Sequence, residues 1–204
     1  MIVIVDYGVG NLFSLRSSFA AIGAEAVVSS DPEELKKADR IILPGVGAFG
    51  DAAEKLARSG LGQAVTEQAR AGKPLLGICL GMQLLLEESL EYGVHKGLGL
   101  IPGQVRPISE VIPADYKIPH IGWNALRFPA PSPLFRNISE GDYVYFVHSF
   151  HGTGCAQNTI AVTEYGASLT AAVQRDNVFG CQFHPEKSGN VGLAILRAFC
   201  DLEV

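Results

Sequence analysis

The sequence predicts an α/β fold: a mostly parallel central sheet flanked by helices, with additional β-hairpin strands in the second half. Three observations predict it. Short apolar runs, such as IVIV at 2–5 and RIILP at 40–44, read as strands buried on both faces. Stretches with helical apolar spacing separate them, so strand and helix alternate through the first half. From about residue 97 the chain becomes rich in Pro and Gly, with extended stretches at short intervals.

In order, residues 2–5 are the first strand. Leu12, Leu15, Phe19 and Ile22 then fall at helical spacing, and Gly23 supplies a stop. Residues 25–29 are the second strand. Asp31 is placed as an N-cap, with Pro32 at the first helical position, where its missing N–H costs nothing. The third strand, 40–44, leads into a glycine-rich turn and helical sequence over 50–71. The fourth strand, 73–78, is followed by a helix expected over 80–90. Extended candidates lie near 103–108, 117–128, 142–149, 159–165, 168–174 and 178–182, and 191–200 reads as a closing helix.

No repeat, low-complexity tract or linker interrupts the 204 residues, so a single domain over 1–204 is expected. A chain of this length buries roughly 70% of the surface it exposes unfolded. With 48% hydrophobic and 18% charged residues, a sizeable core is expected, and a net charge of −5 argues against a nucleic-acid partner. The four cysteines form no CxxC pair and read as reduced thiols, which points to the cytoplasm. The first apolar run stops at Asp6, too short for a signal peptide or a membrane span, so no membrane association is expected.

The chemistry begins at KPLLGICLGMQ. Cys79 stands between Gly77 and Gly81 where a strand gives way to a helix, the layout of a nucleophile elbow. Glycines allow a tight turn and close backbone passage, and the helix start places N–H groups and a dipole beside the sulfur, favouring thiolate. The N–H of Leu80 is placed to help hold an oxyanion. On this stretch alone, Cys79 is equally well a nucleophile or a buried core thiol. A thiol nucleophile needs a base and something to orient that base. Of five histidines, His184 precedes Pro185 and Glu186; in an extended H-P-E, positions 184 and 186 face the same side, as an orienting acid requires. Read alone, such a pair is more often incidental.

Two other patterns are set aside. His148 and His151 have H-x-x-H spacing, but no cysteine or carboxylate cluster completes a tetrahedral site, and no metal is expected. Gly45, Gly47 and Gly50 match G-x-G-x-x-G after a strand, yet the next strand ends at Ile78 without the acid a dinucleotide fold needs, so no cofactor is expected. The same loop can instead lend N–H groups to an oxyanion hole.

With PGVGAFG, GICLGMQLLLEES and FGCQFHPEKSG in view, the chain resembles the class I (triad) glutamine amidotransferases. DYGVGN, HIGWNAL and YFVHSF extend the resemblance along nearly the whole chain, to the branch that serves imidazole glycerol phosphate synthase. Phe150 stands where that family often has Tyr. The resemblance implies Cys79 as nucleophile, His184 as base and then acid, and Glu186 as orienting carboxylate. It implies Val46 and Gly47 as the oxyanion strand with Leu80, and Gln83, Glu91, Ser149 and Phe150 around L-glutamine. It also implies a (β/α)8-barrel cyclase partner that receives ammonia, with low glutaminase activity until that partner is engaged. Asp6, Tyr7, Asn11, Trp123 and Asn124 are the candidates for the contact face. A glutaminase serving another synthase, such as the one making pyridoxal phosphate, and a PfpI-type cysteine hydrolase are the competing readings.

Overall fold

In a computed structural model that describes residues 1–203, four strand–helix steps open the chain. The strands are Ile2–Val5 (β1), Ala26–Ser29 (β2), Arg40–Leu43 (β3) and Leu75–Ile78 (β4). Leu12–Ala21 (α1), Pro32–Lys37 (α2), Phe49–Arg58 (α3) and Leu61–Arg70 (α4) connect them, and Leu80–Leu84 (α5) follows β4. The second half holds Glu88–Ser89 (β5), His95–Lys96 (β6), Gln104–Pro107 (β7), His120–Arg127 (β8), Tyr143–His148 (β9) and Phe150–Thr153 (β10). Thr159–Glu164 (β11), Ser168–Arg175 (β12), Val178–Cys181 (β13) and Gly189–Cys200 (α6) complete it.

Nine strands form one sheet in the order β2-β1-β3-β4-β13-β12-β11-β8-β9. The half from β2 to β13 is parallel and the rest antiparallel. Alternation sorts its apolar residues. Val3, Val5, Ile41, Leu43 and Leu75 meet Leu35, Phe49, Leu56 and Val65 of α2–α4 on one face. Ile2, Ile4, Ile42, Leu76 and Ile78 meet Leu15, Phe19, Ile195, Leu196 and Phe199 of α1 and α6 on the other. Each such side chain fully buried contributes about 1.5–3 kcal/mol, which makes these faces the main source of stability.

Local signals agree with the sequence at several ends. Asp31 Oδ1 accepts from Glu33 N at 2.9 Å with Pro32 in the first turn of α2, and Gly23, at φ +75°, ends the turn after α1. The helical stretch 50–71 is two helices, broken at Ser59 and Gly60, the latter left-handed at φ +73°.

The helix expected over 80–90 is corrected: α5 stops at Leu84. The carbonyls that would continue it are taken by a later segment. Leu98 N donates to Leu84 O at 2.8 Å, Leu100 N to Leu85 O at 2.9 Å and Gly99 N to Leu86 O at 3.1 Å. Residues 88–89 instead enter a second, four-stranded sheet, β10-β7-β5-β6. Some of the extra strands thus extend the main sheet, and others build a separate one.

Strand order places the site. The segments leaving the carboxyl ends of β3, β4 and β13, three adjacent parallel strands, carry Gly45–Gly47, Cys79 and His184, the region where open α/β sheets bind ligands. The β8–β9 ribbon folds back over that edge: His184 N donates to Tyr145 O at 3.0 Å, and Val147 O lies 4.0 Å from Cys79 Sγ.

Candidate active site

Cys79 has φ +55° and ψ −112°, a conformation that a residue with a Cβ rarely adopts, and it persists because the surroundings leave no alternative. Its N–H is tied to Cys181 O at 2.8 Å, and Gln83 N closes the first turn of α5 onto Cys79 O at 3.2 Å. Backbones crowd around the turn. A Cβ on Gly77 would come within 2.6 Å of Gly81 O, one on Gly45 within 2.7 Å of Gly81 N, and one on Gly81 would overlap Leu43 O. The glycines are therefore required by close passage of three segments. At five residues α5 carries little dipole, so the electrostatic help expected from it reduces to the N–H groups of its first turn.

The imidazole of His184 receives Glu186 on one nitrogen, Nδ1 to Oε1 at 2.8 Å, and Cys79 lies close enough to raise its proton affinity. The backbone differs from the extended H-P-E expected. Only His184 is extended, and Pro185–Lys187 form a 3-10 turn that swings Glu186 back onto the ring. Burial alone lowers the proton affinity of His184, but its interactions with Cys79 and Glu186 outweigh it and raise the pKa to about 9. Ser188 locks the turn, donating to His184 O at 2.6 Å and accepting from Tyr145 N at 3.0 Å.

A cavity of about 410 Å³ opens beside the sulfur. Val46, Gly47, Leu80, Gln83, Glu91, Ser149 and Phe150 all line it with Cys79 and His184; Glu186 stands behind the imidazole. Gly47, in the loop after β3 that lines the cavity with Val46, is left-handed at φ +94°. Glu91 reaches the cavity from an unexpected place. It follows β5 rather than riding on α5, and its Oε2 accepts from Phe49 N at 2.7 Å, capping α3.

The five contact-face candidates divide. Trp123 is 52% exposed, edge-on to Tyr145 at 6.0 Å, with Ile121 exposed beside it on the same face of β8. Asp6 accepts from Gly8 N and Asn11 from Ser14 N, both holding local turns. Tyr7 and Asn124 depart from the expectation. Tyr7 is 6% exposed and donates to Pro44 O at 2.7 Å, bracing the glycine loop from beneath; burial, with Cys79 nearby, pushes its pKa well up. Asn124 turns its amide inward, Oδ1 2.8 Å from His120 Nε2 and Nδ2 3.0 Å from Glu164 O.

The profile of the glutamine amidotransferase class-I family matches residues 3–201. The chain belongs to that family. As a class-I glutamine amidotransferase it is 48% identical over 204 residues to the "Imidazole glycerol phosphate synthase subunit HisH" of Wolinella succinogenes, covering 99% of this chain and 100% of that one. It is 50% identical to the protein of the same name from Sulfurimonas denitrificans, covering 98% and 97%. Among solved structures, "Structure of PurLQS from Thermotoga maritima" has a TM-score of 0.77 at 21% identity, with 98% of this chain and 97% of that chain aligned, a likeness of fold.

Two residues around this amidotransferase's sulfur and cavity escaped the sequence reading. Gln182 is fully buried and donates from Nε2 to Cys79 Sγ at 3.7 Å. Its spacing of two from His184 on one strand end was the available signal. His148 donates from Nδ1 to Phe150 O at 2.8 Å and meets His120 Nδ1 at 2.9 Å; burial lowers its pKa to about 3, so the ring is neutral. His148 and His151 do not form the pair their spacing suggested, since Ser149 separates β9 in one sheet from β10 in the other.

Proposed function

We propose that this amidotransferase, a single domain, is the glutaminase subunit of an imidazole glycerol phosphate synthase. In this reading Cys79, His184 and Glu186 are its catalytic triad. Glutamine lies in the cavity with its side-chain carboxamide against the sulfur. Gln83, Glu91, Ser149 and Phe150 surround its amino-acid end. Cys79 Sγ, its proton already held by His184, whose affinity near 9 keeps the ring charged at neutral pH, attacks the carboxamide carbon. N–H groups of Leu80 and of the Val46–Gly47 peptide stabilise the developing oxyanion. His184 then returns the proton to the leaving amine, and ammonia departs. Water, deprotonated by the now neutral His184, hydrolyses the γ-glutamyl thioester to glutamate and regenerates the thiol.

The observation that carries the reading is the meeting of the Gly45–Gly47 loop, Cys79 and His184–Glu186 at the ends of adjacent parallel strands, around one cavity. The relatives named as synthase subunits, matched over nearly their full length, support the choice of synthase. The acceptor of ammonia is a (β/α)8-barrel cyclase subunit that seats on the exposed face around Trp123. The four unpaired thiols and the biosynthetic role fit the cytoplasm. The exposed Val46 and the left-handed Gly47 make the oxyanion loop the element that partner binding sets.

The test is synthesis by the complex with glutamine or with ammonium salts as nitrogen source. Cys79→Ala is expected to abolish glutamine-driven synthesis and leave ammonia-driven synthesis intact. Retention of both would sink the assignment.

A further inference from the structure

A line of hydrogen bonds outside the triad ends on the reacting sulfur. Gln83 Nε2 carries two hydrogens and spends both, one on Phe150 O at 3.1 Å and one on Gln182 Oε1 at 2.9 Å. Accepting on Oε1 leaves Gln182 a single orientation, because turning its amide over would set its NH2 against that of Gln83, donor facing donor. Gln182 Nε2 is thereby aimed at Cys79 Sγ, 3.7 Å away. The far end is also held. Phe150 O takes a second hydrogen bond from the neutral His148, and Ser149 O is occupied by Ile108 N at 3.0 Å. Every donor along the line meets an acceptor, and the last acceptor is the nucleophile.

We infer that Gln182 is a further catalytic residue, whose amide N–H donates to the Cys79 sulfur and stabilises its anionic form, while Gln83 acts as a positioning residue that fixes the amide's direction. This rests on the glutaminase reading for its role in turnover. An uncharged amide suits the place. Gln182 is fully buried, and a donor aimed at sulfur in such surroundings favours the thiolate without bringing in another charge to desolvate. It also explains why a polar side chain stands in an apolar row. Its strand neighbours Cys181 and Phe183 are fully buried in the core beside α6, and a residue serving packing alone at position 182 would have no use for an amide. Gln182 and His184 come from the same strand end, so donor and base are set against the sulfur together.

The experiment compares Gln182→Met, which keeps the length but donates nothing, with wild type in the assembled complex. On the order of a tenfold fall in kcat for glutamine is expected, with KM nearly unchanged. Ammonia-driven synthesis stays at the wild-type rate. Alkylation of Cys79 by iodoacetamide slows, and its pH profile moves to higher pH, since thiolate is the reacting form. Gln83→Met cuts the line one residue earlier and is expected to move the same profile by less; it decides the matter should Gln182→Met not fold. An unmoved alkylation profile with wild-type kcat overturns the inference. So does a loss of ammonia-driven synthesis and thermal stability in step with kcat, which marks a packing role. If the wild-type complex releases no glutamate from glutamine, the glutaminase reading fails by itself, and the alkylation profile still reports on the hydrogen bond.

Discussion

His184 is pulled in opposite directions by its surroundings, and the balance decides how it can serve. Burial favours the neutral ring, and the contacts to Cys79 and Glu186 favour the charged one and prevail. Glu186 also fixes which nitrogen carries the proton, so Glu186→Gln is expected to lower kcat by at least about a hundredfold through the wrong tautomer. The variant's ammonia-driven rate and melting temperature should stay near wild type; a parallel loss of these would mark a folding role. Turn glycines and a proline leave local marks at Cys79, His184 and Glu186, but those marks alone left Cys79 an even choice with a core thiol, and the roles came from the resemblance. Gln182 was not legible in the sequence, because a buried amide is meaningful only when the atoms it faces are known. Gly81 lies between these cases. Its need for close passage was readable, but the Leu43 carbonyl it passes belongs to another strand. Gly81→Ala is expected to destabilise the fold by at least about 3 kcal/mol, measurable by denaturant unfolding.

The Leu80–Leu90 stretch teaches where local pattern fails. Its leucines have good helical propensity, yet residues 97–101 offer N–H groups to the carbonyls of Leu84, Leu85 and Leu86, and those tertiary bonds end α5. Glu91 is freed by that ending to reach α3, whose own N-cap, Ala48, makes no side-chain hydrogen bond. A carboxylate at this end satisfies an orphan donor and favours the helix dipole. Glu91→Ala should therefore cost about 1–2 kcal/mol of stability, apart from any loss of glutamine affinity. Equilibrium unfolding without substrate separates the two effects, since a purely substrate-binding Glu91 would leave the unfolding midpoint unchanged. The strand–helix alternation of the first half was legible because each element carries its own period. The partition of later strands between two sheets was not, because pairing over long separations leaves no periodic trace.

Buried histidines should give the whole molecule an optimum in pH, His184 setting one limb and His148, with His120 and His151 also lowered by burial, the other. His184 has its pKa raised from 6.5 to about 9, so its contribution to stability is complete below 6.5 and is lost as pH climbs towards 9. His148 has its pKa lowered to about 3; between 6.5 and 3 the unfolded chain binds a proton that the native ring refuses, and stability falls on acidification. Unfolding midpoints measured against pH should decline on both sides of about 6.5. His148→Phe should flatten the acid limb and His184→Leu the alkaline one. In the proposed reading the exposed Trp123 face should matter only to assembly: Trp123→Ala is expected to weaken binding of the partner subunit, read by titration calorimetry, without moving the unfolding midpoint. Finally, β13 is the seam of the sheet, antiparallel to β12 on one side and parallel to β4 on the other. Among the described residues it is also the last strand in chain order. The strand that joins the two halves of the sheet is thus also the one whose end delivers Gln182 and His184 to Cys79.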